Sequence, residues 1–105
     1  MNMRRVVVAV IVASGIAVLG AAPAMAGTHS VSIVNCTYTG YGYSTSTYAT
    51  TGGSGCEYTR ARIQRLVNGS VLTYDGTAGF TSSVGASNGY RYGNFHYARA
   101  WYSCS

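Results

Sequence analysis

Lysine is absent from this chain, and Glu57 and Asp75 are its only acids among 105 residues. Carboxylate-pair catalysis would need those two side chains to meet across the fold. Each has a structural role available, Glu57 after a half-cystine and Asp75 at the start of a turn, so the inventory points away from an enzyme. Proline occurs once, at Pro23, and charged residues make up 9% of the chain. No apolar stripe recurs at helical spacing over three turns beyond Gly27, which excludes a helical domain. Aliphatic residues are also few there, a pattern that means disorder when net charge is high. Net charge is low: Arg60, Arg62, Arg65, Arg91 and Arg99 against Glu57 and Asp75 leave +3.

What is present begins with an export signal. Met1-Asn2-Met3-Arg4-Arg5 is a positive start, Val6 to Gly20 is an apolar run, and Ala24-Met25-Ala26 has the small-x-small form of a cleavage site. Val6 to Ala26 is long enough to anchor in a membrane, but Pro23 and the Ala-x-Ala ending favour cleavage. Residues 1–26 are therefore read as a signal peptide and 27–105 as one small extracellular domain. Membrane contact is limited to the signal before cleavage.

A domain this short buries little surface and usually wants a covalent staple. Cys36, Cys56 and Cys104 make an odd count in an exported chain, where thiols oxidise. A Cys36–Cys56 bridge would close a loop of roughly 20 residues, worth about 3 kcal/mol in the chain-entropy model. Cys104 would then be a packed, reduced thiol or the link of a disulfide-bonded dimer. Spacing alone leaves all three pairings open.

Six strand candidates lie between turn signals. They are Ser30–Tyr38, Gly42–Thr50, Cys56–Val67, the segment from Ser70, Thr77–Gly85 and Phe95–Cys104. Asn68-Gly69 between apolar pairs is the strongest local signal and reads as a type I′ hairpin. In the third strand Thr59, Ala61, Ile63 and Val67 share one face, and Tyr58, Arg60, Arg62 and Gln64 the other. Arg65 breaks the alternation and marks a bulge or a strand end. The expected fold is all-β, a six-stranded antiparallel β-sandwich of the Ig-like, Greek-key type. With few aliphatics, aromatics are expected to fill much of its core.

Other constellations carry little chemistry. On one unbent strand His96 and Cys104 would stand roughly 27 Å apart, far beyond hydrogen-bond reach. His29, near the new terminus, is read as mobile. His29, His96 and Cys104 lack the short spacing of zinc ligands, and no glycine motif cradles a phosphate; no cofactor or metal is expected. Arginine and aromatics interleave at Tyr58, Arg60, Arg62 and at Tyr97, Arg99, Trp101, the latter three on one face of a continuous strand. Such residues suit protein interfaces, and tyrosine-lined faces also suit sugars. The low charge and extracellular address count against nucleic acid.

The order and spacing of these pieces resemble the small actinobacterial proteinaceous α-amylase inhibitors, the tendamistat family. Cys56-Glu57-Tyr58-Thr59 matches that family's Cys-x-x-Thr strand start. Tyr74, Gly79, Ser82-Ser83-Val84-Gly85, Gly89-Tyr90, His96, Ala98-Arg99 and Cys104 follow in similar order. The resemblance implies a six-stranded sandwich and a first bridge between Cys36 and Cys56. Thr73 stands where the partner of Cys104 would be, and the family's inhibitory Trp-Arg-Tyr is missing from the window Tyr38 to Thr45. Tyr41-Gly42-Tyr43-Ser44 and the aromatic C-terminal strand are similar to bacteriocins of the lactococcin 972 type, which generally lack cysteines.

These readings together expect a secreted, non-enzymatic binding protein, an inhibitor of an extracellular glycoside hydrolase being the leading form. Tyr41 and Tyr43 at a hairpin tip are the first candidate contacts, and Arg60 and Arg62 the second. The alternatives are a bacteriocin drawn to a neighbour's envelope by its charge, and a surface coat protein joined through Cys104.

Overall fold

The computed structural model describes residues 25–105; the signal reading over residues 1–24 lies outside the described residues. Strands β1 (Met25–Ile33), β2 (Cys36–Tyr43), β3 (Ser46–Gly53) and β6 (Thr81–Gly85) form one antiparallel sheet in the order β1-β2-β3-β6. Strands β5 (Ser70–Asp75), β4 (Ala61–Val67), β7 (Tyr90–Tyr97) and β8 (Trp101–Ser103) form the second, in that spatial order. The described residues are all-β, as expected, but in eight strands rather than six.

The difference comes from three reversals with no glycine in them. The expected strand Ser30–Tyr38 folds back at Val34-Asn35, at φ 40° and 60°, and Gly42–Thr50 folds back at Ser44-Thr45. Phe95–Cys104 folds back between Tyr97 and Trp101, with Arg99 at φ 63°. A β-branched valine at positive φ is an outlier that residue-level turn rules do not anticipate. The reversal that those rules favour most is present: Asn68 and Gly69 take φ 51° and 79°, and Val67 pairs with Ser70.

The two sheets meet through β2, β3 and β6 on one side and β4 and β7 on the other. Between them lie Ala49, Ala61, Ile63, Thr47, Asn94 and His96, each 0% exposed. Aromatics supply part of this core, since Tyr38 and Tyr43 are its largest fully buried side chains, while among the described residues Tyr58, Phe80, Tyr90 and Tyr92 are exposed. Close approach replaces bulk. A Cβ on Gly40 would fall 2.6 Å from the His96 ring, and one on Gly42 would strike the Cys104 carbonyl and Asn94. Only glycine at those two positions lets the second strand lie so near its neighbours.

Cys36 and Cys56 form a disulfide, and Cys36 packs with Tyr38, Ala98, Val31, Ile33 and Tyr102. Arg65 is the largest departure from simple alternation. The register of β4 on β7 shifts between Gln64 and Arg65, passing over Tyr92, so the irregularity read from the sequence is present. Arg65 nonetheless keeps the inward parity of Ala61 and Ile63 and is only 4% exposed. Its Nε donates to the Asn88 carbonyl at 2.7 Å, Nη1 to Ser44 at 2.8 Å and Nη2 to Gly89 at 3.2 Å.

Candidate functional site

Inward residues of β4 leave Arg62 and Gln64 on the outer face of the second sheet. There Arg62 is paired in register with Asp75 of β5 on one side and Phe95 of β7 on the other. Its Nε and Nη2 donate to the two Asp75 carboxylate oxygens at 2.7 and 3.0 Å. This fork holds the Asp75 carboxyl below its ordinary range and raises the Arg62 guanidinium. The same guanidinium lies over the Trp101 ring, 3.8 Å from its centroid. Trp101 meets Tyr97 edge-on at 5.2 Å, and Tyr97 stacks on Tyr58 at 5.3 Å. Arg62, Trp101, Tyr97 and Tyr58 thus form one continuous row, brought together from β4, β8, β7 and the loop before β4.

This row was half legible in the sequence. The sequence pattern marks Tyr97 and Trp101, but as neighbours of Arg99 on one straight strand. The reversal at Ala98–Ala100 sends Arg99 away to Glu57, at 3.2 Å on the surface, and Arg62 takes the place beside the indole. Arg60 sits on the same side of the sheet and adds a weaker pull on the Asp75 carboxylate. Its Nε is buried without a hydrogen-bond partner.

The tyrosines expected at a hairpin tip are placed differently. The segment Tyr38 to Tyr48 is a paired hairpin, with Tyr41 opposite Tyr48, but its tip is Ser44-Thr45. Tyr41 is half-buried on the strand and its ring stacks with Tyr48 at 6.1 Å. Tyr43 is 1% exposed, so it is not available as a tip contact. Burial, then the neighbouring Tyr41 and Tyr48, push its hydroxyl up to about 12.

The two histidines and the buried thiol also correct the sequence reading. His29 is fixed rather than loose: its Nδ1 lies 3.0 Å from Nε2 of His96, and its ring stacks on Tyr102 at 5.5 Å. Because the last strand folds back, Cys104 is not far along a straight strand from His96. Its N–H donates to the Asn94 carbonyl at 2.9 Å, two residues along each strand from the His96–Tyr102 pair. Proximity still does not make a nucleophile. Burial pushes the Cys104 thiol up to about 12 and, with a smaller push from His29, holds His96 down to about 4. Both groups are neutral near pH 7, without the thiolate such chemistry needs. Cys104 is a free cysteine, 2% exposed. Among the described residues no three His, Cys, Asp or Glu side chains gather to hold a metal ion.

No family model, curated protein or solved structure matches the chain.

Proposed function

We propose that the protein is an exported, non-enzymatic β-sandwich of Greek-key type that binds another extracellular protein through the outer face of its second sheet. The row Arg62–Trp101–Tyr97–Tyr58 is the observation that carries this reading. Trp, Tyr and Arg dominate interface energetics because they present large, stiff, amphipathic area. Here each ring supports the next, and Asp75 holds the guanidinium in place, so little conformational freedom is lost on contact. An extracellular glycoside hydrolase such as an α-amylase is the proposed target. The tendamistat-like order of the chain supports it, and so does the presence of Trp, Arg and Tyr side chains side by side, assembled here from three strands instead of one hairpin.

The test is inhibition of an α-amylase by the oxidised protein, compared with an Arg62→Ala/Trp101→Ala variant. We expect inhibition in the nanomolar to micromolar range and a loss of at least tenfold in the variant, about 1.4 kcal/mol or more. No inhibition at micromolar protein would remove this target. Inhibition indifferent to the double substitution would move the contact surface elsewhere.

A second reading draws on charge. Four of the five arginines of the described residues lie on the second sheet or its connections outside the core, Arg65 being buried. Arg62 and Arg99 are paired with Asp75 and Glu57, which leaves a small positive excess from Arg60 and Arg91 to draw the protein to anionic wall polymers of a competitor's envelope. Growth inhibition that fades with added salt would favour that reading over the inhibitor. A Cys104-linked coat protein would require the C-terminal strand to open before its buried thiol could reach a second chain.

A further inference from the structure

The first sheet contrasts chemically with the second. Its four strands carry no Arg, Asp or Glu. The outer positions of β1, β2, β3 and β6 align instead as transverse rows of hydroxyls. Ser30, Thr39, Thr50 and Thr81 are consecutive register partners, and so are Thr28, Tyr41, Tyr48 and Ser83. Ser32 and Thr37 extend the pattern at one end. The rows are knit by hydroxyl contacts, Ser30 to Thr39 at 2.9 Å and Ser32 to Thr37 at 3.3 Å. The stacked Tyr41–Tyr48 pair stands among them. At the β6 side the face opens into a cavity of about 260 Å³ lined by Tyr48, Thr77, Thr81, Ser82 and Ser83, again without a charge.

Threonine favours strands, so a hydroxyl-rich outer face is common in itself. The absence of charge from both edge strands is less so, because edges are ordinarily protected by charged side chains. We propose that this face is a binding surface for a neutral polysaccharide, separate from the Arg62–Trp101 row and independent of what that row contacts. The chemistry of the ligand follows from the chemistry of the face. Hydroxyls donate and accept, so they match a hydroxyl-rich ligand in either sense. Tyrosine rings offer flat apolar area to the C–H faces of sugar rings, with a hydroxyl to spare. A charged polymer would lose hydration against this face and meet no counter-charge. The paired strands make the array a sheet rather than a loop, which suits an extended chain or a fibre surface better than a single sugar.

The experiment is retention of the oxidised protein on granular starch, microcrystalline cellulose and chitin, with carboxymethyl-cellulose as the charged control. Retention on at least one neutral polymer is expected, unchanged in 1 M NaCl and reduced at least tenfold by Tyr41→Ala/Tyr48→Ala. Thr81→Lys places an ammonium on an exposed position of the face and keeps both rings. It should reduce retention similarly, which guards against a double variant that fails to fold. Arg62→Ala/Trp101→Ala should bind as the wild type does, so failure here and failure of amylase inhibition are separate results. Three outcomes overturn the proposal: no retention on any of the three polymers, retention indifferent to Thr81→Lys, or retention abolished by salt. A dimer that Thr81→Lys splits, without polymer binding, would assign the face to a second copy of the chain and also overturn it.

Discussion

Replacing Arg65 with alanine is expected to destabilise the protein by about 3 to 5 kcal/mol, from about 1 to 3 kcal/mol for each buried acceptor left unsatisfied together with the lost packing of the stem. Arg65 is 4% exposed, and its guanidinium donates to three main-chain carbonyls, those of Ser44, Asn88 and Gly89. Those carbonyls belong to the β2–β3 turn and the β6–β7 connection, so one β4 side chain closes that end of both sheets. Alanine would leave three acceptors without their donors and a cavity where the stem lay. Arg65→Lys should recover less than half of the loss, because an ammonium is a point donor and the carbonyls are spread around a planar fork. Arg65→Met separates volume from hydrogen bonding: it fills the space and donates nothing. Urea unfolding followed by Trp101 fluorescence gives the three values. A loss under 1 kcal/mol for alanine, or a methionine variant as stable as the wild type, would show that the carbonyls do not depend on this donor.

Acid should weaken the fold through His96. Its ordinary value is 6.5 and burial holds it at about 4 in the folded protein, with His29 adding a smaller push in the same direction. Between those values the unfolded chain binds the proton and the folded chain does not, so stability falls as pH falls. The contribution is complete above about pH 6.5, declines through the interval and is level below about pH 4, a change of roughly 3 kcal/mol. The groups facing His96 are His29 from β1, Tyr102 from β8 and, from β2, the bare backbone of Gly40. No carboxylate among the described residues forms an ion pair with either ring. Asp75, whose carboxyl is lowered by Arg62, adds its own loss only below its ordinary value of 3.8. Equilibrium unfolding at intervals between pH 7 and 4 measures the slope. His96→Gln should flatten it, and a slope that persists in that variant would place the titrating group elsewhere.

The elements that were legible are those set by neighbours in the chain. The hairpin at Asn68-Gly69 follows from two residues that tolerate positive φ. The inward face of β4 was legible as far as Ile63, because a period of two survives wherever a strand has one buried side. Arg65 lies on the same face but against its residue type. A guanidinium is ordinarily outside, and only the Ser44, Asn88 and Gly89 carbonyls, supplied by two distant turns, make an interior position tolerable. The candidate site divides in the same way. Arg62 and Trp101 each stand out by residue type, but nothing local places one over the other. Tyr43 and Tyr41 differ by two residues and looked equivalent, yet one is enclosed and the other remains part of a surface.

By itself the sequence determined the all-β class and the tightest hairpin. Those depend on composition, on period-two alternation and on the φ preferences of single residues, all of which act within a few positions. The resemblance supplied the Cys36–Cys56 pairing that the structure contains. Tertiary structure decided the strand order β1-β2-β3-β6 against β5-β4-β7-β8. It decided the reversals at Val34-Asn35 and Ala98–Ala100, the burial of Arg65, His96 and Cys104, and the division into a charged and an uncharged sheet. Each of these depends on which strands become neighbours. The same alternating pattern fits many pairings, and the choice among them is made by contacts such as His29 with His96, 67 residues apart, where only packing and hydrogen-bond satisfaction distinguish one arrangement from another.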